Sequence, residues 1–286
     1  MLIGSSLHLL PDPKDGAVSR QDSPFDACRA FLKACSLFLF PPQCRCCQTP
    51  LDNDDGIRIC QPCWQKVELI RGDVCTRCGY PLSDVNPQRG GYCGHCPTRP
   101  VHFDSAHAAA AYDGALRSLI HALKFRFHEH LASFLALFLA DLVDGRYHRE
   151  VDLLVPVPLH WLRRRWREFN QSLLLAKALS ERSGIPVGEH LLRRVRRTRP
   201  QSRTSGRAAK RRNVRGAFRA TDAKALRGTR VLLVDDIYTS GSTVNECARV
   251  LKVAGVRELH VVTVARLIEG GKDSVNSSPT ERDHQI

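Results

Sequence analysis

Asp235 and Asp236 stand side by side after the apolar run Val231–Val234, and two residues later come Thr239, Ser240, Gly241, Ser242 and Thr243. The two parts suit different chemistry. A loop with little side-chain bulk lets backbone N–H groups close on an anion, and a helix beginning behind it adds favourable potential. Adjacent carboxylates accept hydrogen bonds from hydroxyl groups. The order therefore predicts a phosphate on Thr239–Thr243 and a hydroxyl-rich group beside it on the aspartates. The bland alternative is a buried strand ending in Asp, followed by a Ser/Gly turn.

A second set of reactive residues lies far upstream. Cys44/Cys47, Cys60/Cys63, Cys75/Cys78 and Cys93/Cys96 are four C-x-x-C pairs. Two residues between cysteines let both thiolates of a pair face one tetrahedral ion at about 2.3 Å. Two pairs close a four-sulfur shell with no position left for water, so eight cysteines suit two structural zinc ions. Pairing by neighbours joins Cys44/Cys47 to Cys60/Cys63 and Cys75/Cys78 to Cys93/Cys96; an interleaved arrangement satisfies the spacing equally well. Cys46, inside the first pair, could replace one ligand. Redox disulfides and an iron–sulfur cluster are the competing uses of such pairs. Cys28, Cys35 and Cys247 fall on helical patterns and read as small core residues.

Elements must hold these groups in place. Val231–Val234 is an apolar run of the kind a buried parallel strand shows, and the acids at its C-terminal end occupy the edge where open α/β sheets bind ligands. Helix-like spacing follows over Thr243–Ala254, and Leu259–Ala265 is a further strand. Upstream, Ala106–Ala111 and Val151–Val157 read as strands, Ala115–Phe125, Leu131–Val143 and Gln171–Ser183 as helices, and Val187–Val195 as extended. Strands alternating with helices predict a parallel sheet. Residues 1–24 read as a loosely ordered extension. Residues 25–100 combine one helix (Phe25–Phe40) with the metal module, residues 101–268 form the α/β domain, and residues 269–286 are a polar tail.

At 286 residues the chain can bury one sizeable core beside a smaller module. The formal charge of +14 predicts attraction to phosphate groups, on a sugar or on nucleic acid. Much of it is local: Leu191–Ala220 holds twelve Lys or Arg and no acid. Within it, Arg196–Arg212 has no apolar period, which suits either a mobile lid over an anionic ligand, a solvated basic loop or a nucleic-acid contact. Only one aromatic, Phe218, interrupts the run, where single-strand binders interleave several. The N-terminus lacks a basic stretch before its apolar residues, and Phe31–Phe40 is too short to cross a bilayer. A cytoplasmic location without membrane insertion is expected, with reduced cysteines, which favours metal over disulfides.

The acid pair followed by the small hydroxyl loop resembles the 5-phosphoribosyl 1-pyrophosphate (PRPP) signature of type I phosphoribosyltransferases. The resemblance implies that Asp235 and Asp236 take the ribose hydroxyls and that Thr239–Thr243 takes the 5′-phosphate. With the cysteine module in front, the chain resembles the ComF family, which includes GntX-type proteins. The match is carried by Leu39-Phe-Pro-Pro-Gln-Cys-Arg-Cys-Cys47, Tyr112-Asp-Gly-Ala-Leu-Arg-Ser-Leu-Ile120, and Val155-Pro-Val-Pro-Leu159 with Arg163, Arg165 and Phe169-Asn-Gln171. It continues in Arg199-Pro-Gln201, Arg211-Arg-Asn-Val214 and Gly216-Ala-Phe218. Glu168 stands where that family has Gly, and no glycine follows Lys124-Phe125 closely.

By that resemblance the fold is an α/β, type I phosphoribosyltransferase-like parallel sheet with helices on both faces, preceded by a double zinc ribbon. The implied activity is phosphoribosyl transfer with PRPP and Mg²⁺, with Val157 and Pro158 in the pyrophosphate loop and Asp235 and Asp236 at the catalytic centre. Thr239 stands where purine salvage enzymes carry an acidic base, which argues against a purine acceptor; Tyr238 and His160 are the nearest candidate bases. The implied setting is DNA uptake or natural transformation, with single-stranded DNA and uptake or recombination proteins as partners. The alternative is a phosphoribosyltransferase fold kept as a non-catalytic nucleic-acid or partner-binding module. Replacing Cys60 or Cys78 with Ser is expected to damage folding or partner binding before PRPP affinity.

Overall fold

The computed structural model describes residues 41–51, 57–82, 93–96, 100–123, 129–147, 150–159, 169–196, 198 and 206–268. Expectations placed on the extension 1–24, the helix 25–40 with Cys28 and Cys35, Lys124-Phe125, His160, Arg163, Arg165, Glu168, residues 199–205 and the tail 269–286 lie outside the described residues. The described residues from Gln43 onward belong to one unit.

Four strands make the sheet. They are β1 (Ser105–Ala111), β2 (Leu153–Pro156), β5 (Arg230–Tyr238) and β6 (Glu258–Arg266), in the order β1-β6-β5-β2, all parallel. A single parallel bridge from Leu154 to Val187 extends the β2 edge. Strand β5 is apolar at consecutive positions because both its faces are covered. Leu232 and Val234 pack with α2 (Gly114–Ala122), α3 (Glu129–Arg146) and α4 (Gln171–Ser183). Val231 and Leu233 pack with α7 (Ser242–Val253). The helical spacings carry these contacts: Leu131, Leu135, Leu139 and Val143 on α3, and Val244, Cys247, Ala248 and Leu251 on α7, are all buried.

The cysteine-rich segment closes the β1 edge. Ile70 N–H donates to Ala109 at 2.9 Å, Ala111 N–H to Glu68 at 2.8 Å, and Ala106 N–H to Arg77 at 2.9 Å. An uncovered parallel edge would present unpaired backbone groups to any other strand. Gly79 is required for this fit: its φ is +68°, and a Cβ there would stand 2.3 Å from the Ala106 carbonyl oxygen. The short helix α1 (Gln61–Trp64) places Trp64 against Phe134 and Phe138 of α3, with ring centroids 5.0 and 5.4 Å away.

Two elements depart from expectation. β5 does not stop at Val234 but runs through the acid pair to Tyr238, because β6 continues beside it and pairs Asp235 with Thr263 and Tyr238 with Arg266. The described parts of the basic stretch also hold regular elements that its composition does not announce. It begins and ends on an antiparallel pair, β3 (Leu192–Arg194) and β4 (Phe218–Ala220), and holds the helix α5 (Arg207–Val214). A few apolar anchors are enough: Val214, Ala217 and Phe218 are buried, and Arg196 donates to the carbonyls of Asn213 and Arg215. The remaining short helix is α6 (Ala223–Leu226).

Away from the acid pair, Ser105, His107, Tyr147 and His260 form one hydrogen-bonded group. Burial first, then the positive charge of Arg146, lowers His107 to about 4; burial also lowers His260, against the carboxylates of Asp104, Glu258 and Glu150. The unfolded chain therefore takes up protons near pH 6.5 that the native His107 refuses until about 4. Stability is complete above pH 6.5 and is lost as pH falls toward 4. For His107 the expected loss between pH 7 and pH 5 is on the order of 2 kcal/mol. Urea unfolding of wild type and His107→Gln at both pH values checks this; an equal loss in the two proteins would remove His107 as the cause.

Candidate functional site

Asp235 and Asp236 lie on β5, with β2 on one side and β6 on the other. Part of the Asp235 residue remains accessible, but its carboxyl is desolvated. That burial, with the Asp236 charge beside it, pushes its pKa up to about 8. Ser172 Oγ donates to Asp235 Oδ1 at 2.9 Å, and the Asp236 amide donates to the same oxygen at 3.0 Å. Asp236 Oδ1 accepts from the Ile237 amide at 2.8 Å. At neutral pH the pair therefore keeps a proton, so it can both donate to and accept from a diol.

The loop behind the acids has the shape its composition predicts. Gly241 caps α7 with φ 70° and ψ −1°, a left-handed conformation that glycine adopts without steric cost. It gives the first turn of the helix no side-chain acceptor. Ser240 Oγ and Ser242 Oγ are 3.0 Å apart, and the helix opens with Asn245 N–H on the Gly241 carbonyl at 2.9 Å. Hydroxyl groups and a helix N-terminus thus converge within the Thr239–Thr243 segment, with Gly241 and Ser242 buried and Thr239, Ser240 and Thr243 partly so.

Val157 and Pro158 follow β2. The Val157 amide donates to the Val234 carbonyl at 3.0 Å, which sets the turn beside the acid pair, and Asn170 Nδ2 donates to the Val157 carbonyl at 3.1 Å. Asn170 and Ser172 therefore tie the start of α4 to both the turn and Asp235. Neither side chain is singled out by residue type alone; Asn170 has a signal in the Phe169-Asn-Gln171 segment, and Ser172 only in following it. A cavity of about 910 Å³ is lined by Pro158, Leu159, Phe169, Asn170, Leu173 and Arg194, among others.

Tyr238 is not placed to serve as a base. It is buried, its hydroxyl has no hydrogen-bond partner among the described residues, and burial raises its pKa well above the usual phenol value.

The eight cysteines form two sets, Cys44/Cys47/Cys60/Cys63 and Cys75/Cys78/Cys93/Cys96, each with all four sulfurs within 4.8 Å of one another. Pairing by neighbours holds and the interleaved arrangement does not. Four sulfurs at about 2.3 Å from one ion stand about 3.8 Å apart. The observed separations fit: Cys47–Cys60 at 3.5 Å, Cys75–Cys96 at 3.6 Å, Cys78–Cys93 at 3.3 Å and Cys93–Cys96 at 3.9 Å. A disulfide needs about 2.0 Å, and all of these thiols are free. Cys46 is exposed and belongs to neither set, while Cys247 is a buried residue of α7. The two sets are consistent with two structural zinc ions.

Comparison with known proteins agrees with both halves. Residues 36–97 match the double zinc ribbon domain, and residues 170–281 match the phosphoribosyl transferase domain. The chain is 33% identical over 233 residues to the DNA utilization protein YhgH of Salmonella typhimurium, covering 80% of this chain and 98% of that protein. It is 30% identical over 213 residues to competence protein F of Haemophilus influenzae, covering 73% and 90%. With competence protein ComFC of Bacillus subtilis it shares 24% over 204 residues, covering 69% and 79%. Among solved structures, a purine phosphoribosyltransferase from Pyrococcus horikoshii aligns with 48% of this chain and 82% of its own, at 16% identity and a TM-score of 0.31.

Proposed function

The chain belongs to the ComF/YhgH family, a double zinc ribbon joined to a phosphoribosyltransferase domain, and from that premise we propose that it binds PRPP with Mg²⁺ and transfers its phosphoribosyl group in the handling of incoming DNA. One arrangement carries the reading: a partly buried acid pair that can engage two ribose hydroxyls, followed by a hydroxyl loop in which Gly241 caps the start of α7. In the reaction the C1–O bond to pyrophosphate breaks, pyrophosphate leaves with the electron pair, and an acceptor nucleophile bonds to C1. Mg²⁺ supplies charge neutralisation for the leaving group, held on substrate oxygens and water rather than in a protein cage. The backbone at Val157 and Pro158 lies where it can receive the pyrophosphate, and Asp235 and Asp236 orient the sugar. The cavity beside Pro158 and Asn170 is the proposed acceptor side.

Calorimetry of the intact protein with Mg²⁺ and PRPP tests this. Saturable binding is expected. Gly241→Val is expected to weaken it at least tenfold, since a β-branched residue is strained at φ 70° and crowds the phosphate. No binding by wild type would overturn the reading. A second reading rests on the basic stretch Leu191–Ala220, with its twelve Lys or Arg: the fold serves as a scaffold for nucleic acid or a partner protein. Steeply salt-dependent binding to single-stranded DNA, with no PRPP binding, is the result that would favour it.

A further inference from the structure

Arg266 is among the most enclosed side chains of the protein, 2% exposed, at the end of β6. Among the described residues no carboxylate pairs with it. Its guanidinium donates to the Cys78 carbonyl and lies 3.7 Å from the Cys78 sulfur. It also sits over two aromatic rings, 4.8 Å from the Tyr80 centroid and 4.5 Å from that of Tyr238. Its Nε is buried without a hydrogen-bond acceptor among the described residues. A buried cation needs an anionic partner, and ring faces and one carbonyl do not fully supply it.

The second cysteine set supplies that charge. Four thiolates around a divalent ion carry a net charge of −2, and with Cys75, Cys78 and Cys93 buried and only Cys96 partly exposed, water neutralises little of it. The first set differs, since Cys47 is exposed and Cys60 is partly so. Arg266 is thus the cation at the more enclosed of the two clusters.

The same residue is built into the strand ends beside the acid pair. β6 pairs Arg266 with Tyr238, which immediately precedes Thr239. The Arg266 carbonyl accepts the Tyr112 amide at 2.7 Å, and Tyr112 feels the charge of Asp236. Leu267 N–H then donates to the Tyr238 carbonyl at 3.0 Å. The residue that neutralises the second cluster therefore also supports the strand end from which the phosphate loop departs. Cys60 and Cys78 are consequently set apart: only Cys78 touches Arg266.

We propose that Arg266 is a positioning residue that couples the second cysteine set to the phosphate loop, so that an ion held by Cys75, Cys78, Cys93 and Cys96 strengthens PRPP binding while one held by Cys44, Cys47, Cys60 and Cys63 does not. The coupling rests on the PRPP reading above; the role of Arg266 toward the cluster does not. When the second cluster lacks its ion, Arg266 loses its partner and Tyr238 its cover, and the loop that follows is no longer held.

The test uses the full chain with Arg266→Met, which keeps bulk and removes charge, and with Arg266→Lys, which restores a cation. Zinc release to a coloured chelator is followed in time, and PRPP affinity with Mg²⁺ is measured by calorimetry. In Arg266→Met one of the two ions is expected to leave at least tenfold faster, and PRPP affinity is expected to fall about tenfold. Arg266→Lys should recover part of both. Cys78→Ser should reproduce the PRPP loss and Cys60→Ser should not. Wild-type release rates in Arg266→Met would overturn the role at the cluster, and faster release with unchanged PRPP affinity would overturn the coupling. If wild type binds no PRPP, the phosphoribosyl reading fails and the coupling with it, while the release rates still decide the role of Arg266. Should Arg266→Met not fold, wild type partly stripped and reloaded with zinc gives the same decision: PRPP affinity must follow the more slowly released ion.

Discussion

Metal analysis of the purified protein should give two zinc ions per chain, and a strong chelator should remove them in two phases. The first phase belongs to Cys44/Cys47/Cys60/Cys63, whose Cys47 is open to solvent, and the second to Cys75/Cys78/Cys93/Cys96, which is largely enclosed. Structural zinc contributes on the order of 10–16 kcal/mol of apparent binding free energy near neutral pH, more than a domain's net stability. The segment has little apolar core to replace it: the first cluster packs chiefly on Ala115 and a few half-buried aliphatics. Loss of both ions should therefore unfold the ribbon, uncover the β1 edge at Ala106, Ala109 and Ala111, and cause aggregation. Mass spectrometry under native conditions and light scattering during chelation would check both. One ion per chain, iron in place of zinc, or a soluble apo-protein with unchanged circular dichroism would refute the two-zinc structural role.

Much of this architecture was readable because local chemistry and tertiary need coincide. A C-x-x-C pair meets its ion within one turn, so the eight ligands follow from spacing, whereas which pairs share an ion is set by the fold. The buried strand at Val231–Val234 announces itself because both faces require apolar side chains, and α7 because Val244, Cys247, Ala248 and Leu251 repeat at helical spacing. The remainder depends on partners distant in sequence. Nothing in Asp235-Asp236-Ile237-Tyr238 says that the strand continues, since the continuation is set by Thr263–Arg266 across the ladder. Helix α5 reads as a solvated basic loop because its anchors, Val214 and Ala217, lie at its end rather than along it. Ser172 and Arg266 matter through single long-range contacts, which no periodicity reports.

Replacing either acid of the pair with its amide should separate stability from binding, which a merely structural pair would not do. A carboxylate hydrogen bond to a ribose hydroxyl is charge-assisted, and losing one at a desolvated site costs about 1.5–3 kcal/mol, roughly ten- to a hundredfold in affinity. Above pH 8, where Asp235 is ionised, Asp235→Asn and Asp236→Asn are each expected to weaken PRPP binding by that factor, and the double variant by more. Stability should move the other way. The native Asp235 pKa is raised from 3.8 to about 8, so the native state holds an extra proton throughout that window, and stability falls as pH rises through it. Asp235→Asn removes a charge that the fold disfavours while keeping an oxygen for Ser172, so the ligand-free variant should melt no lower than wild type, and higher above pH 8. Binding should share the same titration. If two hydroxyls are held best by the fully ionised pair, wild-type affinity rises from pH 6.5 to pH 8.5 and the rise is smaller in Asp235→Asn. Calorimetry at the two pH values, with thermal unfolding of each variant, decides the matter. Undiminished PRPP binding in the double variant would leave the acid pair a feature of the fold alone; weaker binding in a variant that is as stable as wild type would make it the group that holds the sugar.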